Sequence, residues 1–137
     1  MNSRSLLRIS YWVGAIADFI NAVAMVYPPL MARMLILDQT PTSLDARLAL
    51  FMGASLMFGW TVLLIWADRK PVERKGILLI TIFPVIVGLA ITTLCGFLRD
   101  YIPLKGAIPI WIFQILLTML FICAYLCALK SRHKTSA

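Results

Sequence analysis

Tyr11-Trp12-Val13-Gly14-Ala15-Ile16-Ala17-Asp18-Phe19-Ile20-Asn21-Ala22 is an apolar run with a carboxylate near its middle. With its flanks it reaches from Ile9 to Tyr27. That is close to the roughly 20 apolar residues a helix needs to cross a bilayer. An ionisable side chain at that depth is costly, so Asp18 is a functional-site hypothesis from the start. The rest of the chain reads as three more spans that enclose it.

The composition agrees. Of 137 residues, 61% are hydrophobic and 14% are charged. A soluble domain holds roughly 45–50% apolar and about 25% charged residues. One short domain cannot hide this much apolar surface from water, so lipid is the expected solvent for the excess. The net charge of +7 sits in short segments between apolar runs. That placement suits orientation in a membrane and attraction to anionic headgroups. It offers no basic face or groove for nucleic acid.

Outward from the first span the chain divides cleanly. Pro28-Pro29 stops the first helix, because proline donates no backbone hydrogen bond and restricts its predecessor. Leu30 to Leu37 is too short to span and predicts a short helix packed on the end of the bundle or lying at the interface. Asp38 to Asp45 is a loop, and Thr42-Ser43-Leu44-Asp45 fits a capping box. The expected spans are about 9–27, 46–67, 76–98 and 107–129. Pro84 and Gly88 predict a kink in the third. Pro109 is expected in the first turn of the fourth, where proline is tolerated. Residues 1–137 form one transmembrane domain. The basic start, apolar run and Ala22-Val23-Ala24 outline a signal peptide. Asp18 inside the would-be apolar region argues instead for a retained first span.

Charge sets the expected orientation. Nine basic residues (Arg4, Arg8, Arg69, Lys70, Arg74, Lys75, Lys130, Arg132, Lys134) fall on one side, and four (Arg33, Arg47, Arg99, Lys105) on the other. The positive-inside rule places both termini in the cytoplasm. Trp12, Trp66 and Tyr125 lie toward the inner boundary, and Tyr27, Tyr101 and Trp111 toward the outer one, as an interfacial belt requires.

Counting depth along alternating helices brings polar residues to one layer. Asp18, Asn21, Ser55, Thr92, Gln114 and Thr118 are the candidate pocket residues. Asp18 and Asn21 share a face at i, i+3, and Gln114 and Thr118 at i, i+4. Interhelical bonding is the plain structural role for the neutral members, at roughly 0.6 kcal/mol each. Arg47 lies several turns from Asp18, so Asp18 is expected to bond Asn21, Gln114 or Thr118 instead. Gly53, Gly59 and Gly88 are the expected close-packing positions, from Ala49-x-x-x-Gly53, Ser55-x-x-x-Gly59 and the kink. Cys95, Cys123 and Cys127 read as small apolar packing residues. His133 is the only histidine and lies in the polar tail. No metal-ligand spacing, phosphate loop or catalytic triad is present, and no cofactor is implied.

Two resemblances follow from these residues. Arg47, Gly53, Gly59 and Arg69-Lys70-Pro71 resemble the DoxX-like group of small bacterial four-helix membrane proteins. This implies an up-and-down four-helix bundle and an accessory role. Tyr11 to Ala22 looks like the first span of the small multidrug resistance exporters, whose membrane carboxylate would correspond to Asp18. That family uses glutamate, is usually shorter and often lacks a charge bias.

The expectation is therefore an all-α integral membrane protein of the bacterial or archaeal cytoplasmic membrane. It is an up-and-down four-helix bundle with both termini inside and a short interfacial helix in the first outer loop. Its expected role is that of a non-enzymatic accessory subunit, or a binder of a lipid or quinone around Asp18. A proton-coupled exporter acting as a homodimer is the alternative. Expected partners are the bilayer, such a ligand, and a second copy or a larger membrane complex, with no nucleic acid.

Overall fold

The computed structural model describes residues 3–37, 40 and 43–133. Among them every regular element is helical: α1 (Ser3–Val26), α2 (Pro28–Leu35), α3 (Leu44–Asp68), α4 (Gly76–Leu98) and α5 (Leu104–His133). The four long helices are long and apolar enough to cross a membrane. They bury little of themselves in one another. Phe83 is 80% exposed and Leu44 82%, with many other large apolar side chains half outward. In water each such side chain would forgo about 1.5–3 kcal/mol of burial. In lipid the exposure costs nothing comparable, which fits a multi-pass integral membrane protein.

Each helix buries a narrow stripe. On α1 it runs through Leu7, Tyr11, Gly14, Ala15, Asp18 and Ala22. This is the i, i+3, i+4, i+7 spacing of one helical face. On α5 it runs through Ala107, Gln114, Leu117, Phe121, Ala124 and Ala128. Asp18 and Gln114 thus lie on the stripes that pack inward, which explains why two polar groups are buried. The core joins these stripes to Leu64 and Ala67 of α3 and to Leu78, Ile82 and Ile86 of α4.

The helix ends differ from the sequence expectations in instructive ways. α1 starts at Ser3, before the apolar run, because Leu6 and Leu7 already belong to its buried stripe. Pro28 and Pro29 end α1 and also open α2, occupying its first turn after Tyr27. Proline is well placed there, since first-turn amides have no helical partner. α2 closes at Ile36 in the left-handed region (φ 53°), and Leu37 N–H reaches back to the Ala32 carbonyl at 2.8 Å. That bond is the helix-terminating pattern in which a left-handed residue lets the chain satisfy a stranded carbonyl.

The cap of α3 is a correction. Ser43 is the cap, its hydroxyl accepting from Ala46 N–H at 3.3 Å. The expected capping residue Thr42 lies outside the described residues, as do Asp38 and Lys134. α5 begins at Leu104, so Pro109 stands in the second turn and not the first. In α4 the expected irregularity at Pro84 takes a definite form: Thr81–Ile86 is π-helical. Val87 N–H bonds Ile82 O, five residues back. The wider π turn absorbs the missing proline amide inside a continuous helix.

Candidate functional site

At the end where α1 begins and α3 finishes, polar groups are matched almost completely. Arg8 Nε donates to Asp68 Oδ1 at 3.0 Å and Nη2 to Oδ2 at 3.3 Å. Trp12 Nε1 donates to the same Oδ2 at 3.2 Å. Arg8 and Trp12 are one turn apart on α1, so a single carboxylate at the end of α3 holds both. Next to them the buried Tyr11 hydroxyl donates to the Arg74 carbonyl at 3.0 Å, with Pro71 O at 3.4 Å. The Arg74 guanidinium donates to Trp66 O and lies 3.3 Å from the centre of the Trp66 ring. This cluster ties α1, the end of α3 and the Asp68–Lys75 turn together. Trp12 and Trp66, expected only as members of an interfacial belt, are both parts of this network. Its only visible trace was Arg8-x-x-x-Trp12 on one helical face.

About two turns further along α1 the situation reverses. A cavity of about 360 Å³ opens between α1, α4 and α5, with Met34 of α2 at its edge. Its lining is almost wholly apolar, including Val85, Leu89, Ile110, Phe113 and Leu117. Asp18, Asn21 and Gln114 bring the polar side chains, together with Thr81. Asp18 is 7% exposed and Gln114 9%. Asp18 Oδ2 and Gln114 Oε1 are buried without a hydrogen-bond partner. Buried polar atoms are normally paired, and an unpaired one costs about 1–3 kcal/mol.

Thr81 is different. Its hydroxyl donates to Ile77 O at 2.8 Å and accepts from Trp60 Nε1 at 3.1 Å, so it is already used. Thr81 was not expected at this site. It reaches the cavity because the π-helical stretch begins with it, and the same stretch supplies Val85 and Ile86. Single-turn π insertions often mark functional positions in helices.

Of the six polar residues expected to converge, Asp18, Asn21 and Gln114 line this cavity. The other three stand elsewhere. Ser55 faces outward on α3. Thr92 is also exposed, its hydroxyl satisfied by Gly88 O at 2.9 Å. Thr118 donates to Gln114 O at 2.8 Å and lines a second, apolar hollow beside Ile86, Trp111 and Met119. Equal depth is not equal direction: these three share the layer but point to other sides of their helices.

The packing glycines need a similar correction. A Cβ at Gly53 would meet Met25 Sδ at 3.1 Å, but one at Gly59 or Gly88 would meet nothing within 4 Å. The tight positions are Gly14, Gly96 and Gly106. At Gly14 a Cβ would lie 2.9 Å from Phe121 Cζ and 3.0 Å from Leu64 Cδ1. Glycine there lets α1 approach α3 and α5 one turn before Asp18. At Gly106 the obstacle is backbone, Leu35 O at 2.3 Å from the added atom. That glycine seats the end of α2 against α5. The three cysteines are free and point outward, so they do not pack the core as expected.

Among the described residues no group of three or more His, Cys, Asp or Glu side chains is arranged to hold a metal ion. Set against protein-family models, curated proteins and solved structures, the chain matches none, and its site is read from its own residues.

Proposed function

We propose that this chain is a four-span membrane protein that binds a small apolar ligand, a lipid or a quinone, in the cavity at Asp18. The observation that carries the reading is the pair of buried, unpartnered oxygens on Asp18 and Gln114 beside a cavity lined mostly by apolar side chains. A volume near 360 Å³ falls within the range of small-molecule sites. In this reading the helices cross in alternating directions, with both termini and the Asp68–Lys75 turn on the cytoplasmic side. The role is that of a binder or accessory subunit, the latter in keeping with the resemblance to the DoxX-like group.

The test is what stays bound after mild solubilisation. Native mass spectrometry should find a small apolar molecule on the parent protein. Ala17→Phe and Ile110→Phe, which fill the cavity from two sides, should lose it while thermal unfolding in detergent stays cooperative. Retention of the same molecule by both variants would place it elsewhere. For orientation, cysteines introduced at Thr40 and Lys105 in a cysteine-free background should label from outside intact cells. Labelling of an introduced cysteine at Lys130 instead would invert the topology.

A second reading is a proton-coupled exporter working as a homodimer. It is favoured by the outward-facing Ser55 and Gly59 on α3, a small-residue face that would admit a second copy. Chemical cross-linking in membranes through cysteine at Ser55 tests it, and the absence of any dimer would remove this reading.

A further inference from the structure

The two fully buried polar atoms without a partner beside the cavity are both oxygens, and this restricts what a ligand must offer. Resting on the binding reading above, we infer that the ligand is an apolar molecule carrying a neutral hydroxyl, which it donates to one of the two oxygens, Asp18 Oδ2 or Gln114 Oε1. Asp18 Oδ2 and Gln114 Oε1 are the buried atoms without partners. The other hydroxyl at the cavity, that of Thr81, is committed to Ile77 and Trp60.

Three ligand types can be weighed against this geometry. A molecule bearing only acceptors, such as a ketone, an ether or an ester, sets oxygen against oxygen and leaves both protein atoms unsatisfied. An ammonium ion can donate, but it brings its whole charge into a space lined almost entirely by carbon. Asp18 is the only carboxylate on that lining, and desolvating a cation against one acid offsets much of what the pairing returns. A hydroxyl donates one hydrogen bond, can accept another from the Asn21 amide, and carries no charge to desolvate. Its hydrocarbon body then fills the space between Val85, Leu89, Ile110 and Phe113. Such molecules come from two sources, phenols (including reduced quinols) and aliphatic alcohols. Both present the same donor.

The experiment measures binding to the full chain in detergent with four shape-matched probes. These are para-octylphenol, its methyl ether, para-octylbenzylamine and dodecanol. The ether keeps the body of the phenol and removes only the donor. The phenol should bind about tenfold more tightly than its ether, the value of one good hydrogen bond. Asp18→Leu or Gln114→Leu, whichever removes the accepting oxygen, should bring the ratio toward one while still binding the ether; a ratio that neither variant lowers would overturn the inference. Asp18→Asn, which retains a carbonyl oxygen, should keep part of the preference and guards against a misfolded leucine variant. Tighter binding of dodecanol than of the phenol would support the inference and assign the aliphatic source.

Equal binding of phenol and ether would overturn the donor inference while leaving an apolar binding site intact. Tightest binding by the amine would overturn it in favour of a cation site. Failure of every probe to bind would sink both this inference and the reading on which it rests.

Discussion

Asp18 and Asp68 are two aspartates on two long helices of one small chain, and their surroundings are opposite. Asp68 lies where α3 reaches its end, and its carboxylate answers Arg8 and Trp12 with both oxygens. Asp18 lies deep in α1, and one of its oxygens answers nothing. The first carboxylate fastens helices together. The second is held in place by neighbours that do not need it, namely the Gly14 contact one turn before and Ala22 one turn after. The difference separates a residue that stabilises the fold from one that the fold carries.

The largest expected effect lies at the fastened end. Tyr11 is fully buried, and Tyr11→Ala should cost about 3–5 kcal/mol, as truncation of a packed aromatic does. Tyr11→Phe keeps the ring and loses only the bond to Arg74 O, and should cost about 1 kcal/mol. Chemical denaturation in mixed micelles measures both, and equal losses would show that the hydroxyl, and not the ring, anchors the turn.

Next comes the approach of α1 to its neighbours. Gly14→Leu should destabilise by about 1–3 kcal/mol, because the added bulk must displace Phe121 and Leu64. Gly59→Leu meets no obstacle and should leave stability unchanged or raise it by about 0.5–1 kcal/mol through helix propensity. A loss at Gly59 of the size seen at Gly14 would mean that a partner covers the outer face of α3.

The aspartates themselves give the smaller but sharper pair. Asp68→Leu should lower stability by about 1 kcal/mol, since its bonds are partly exposed to solvent. Asp18→Leu should be neutral, or stabilising by up to about 2 kcal/mol, because it removes an unpaired buried atom without breaking a bond. If Asp18→Leu proves the more damaging of the two, the comparison fails and Asp18 is a structural anchor.

Much of the helical layout was legible in the sequence. Hydrophobic run length located the long helices, and paired prolines marked the first turn between them. The ends moved where side chains on the inward stripe, such as Leu6 and Leu7, extended a helix beyond its apolar run. Asp18, Asn21 and Gln114 were legible as a group, because depth along a helix follows from counting residues. Ser55, Thr92 and Thr118 were misplaced because counting gives depth but not rotation about each axis. That rotation is set by where glycines permit close approach: Gly106 does so without any small-residue motif, and Gly14 does so within Ser10-x-x-x-Gly14, a pattern no more conspicuous in the sequence than the one at Gly59. The Asp68 network was invisible for a related reason. Its partners lie about sixty residues apart in sequence, and only the fold brings them together.

The π-helical turn of α4 has a consequence for chain length. It holds one residue more than an α-helix would use over the same advance, so it behaves as an insertion that the helix has absorbed. Removing one residue from Thr81–Ile86, most simply the outward-facing Phe83, would restore regular winding. Because the bulge absorbs its extra residue locally, the helix on either side would keep its facing, and Leu78 and Leu89 would hold their seats. What would change is the bulge itself, which supplies Thr81, Val85 and Ile86 to the cavity. Such a deletion should preserve helix content by circular dichroism and weaken probe binding. Probe binding unchanged by it would show that the site does not depend on the π-helical turn.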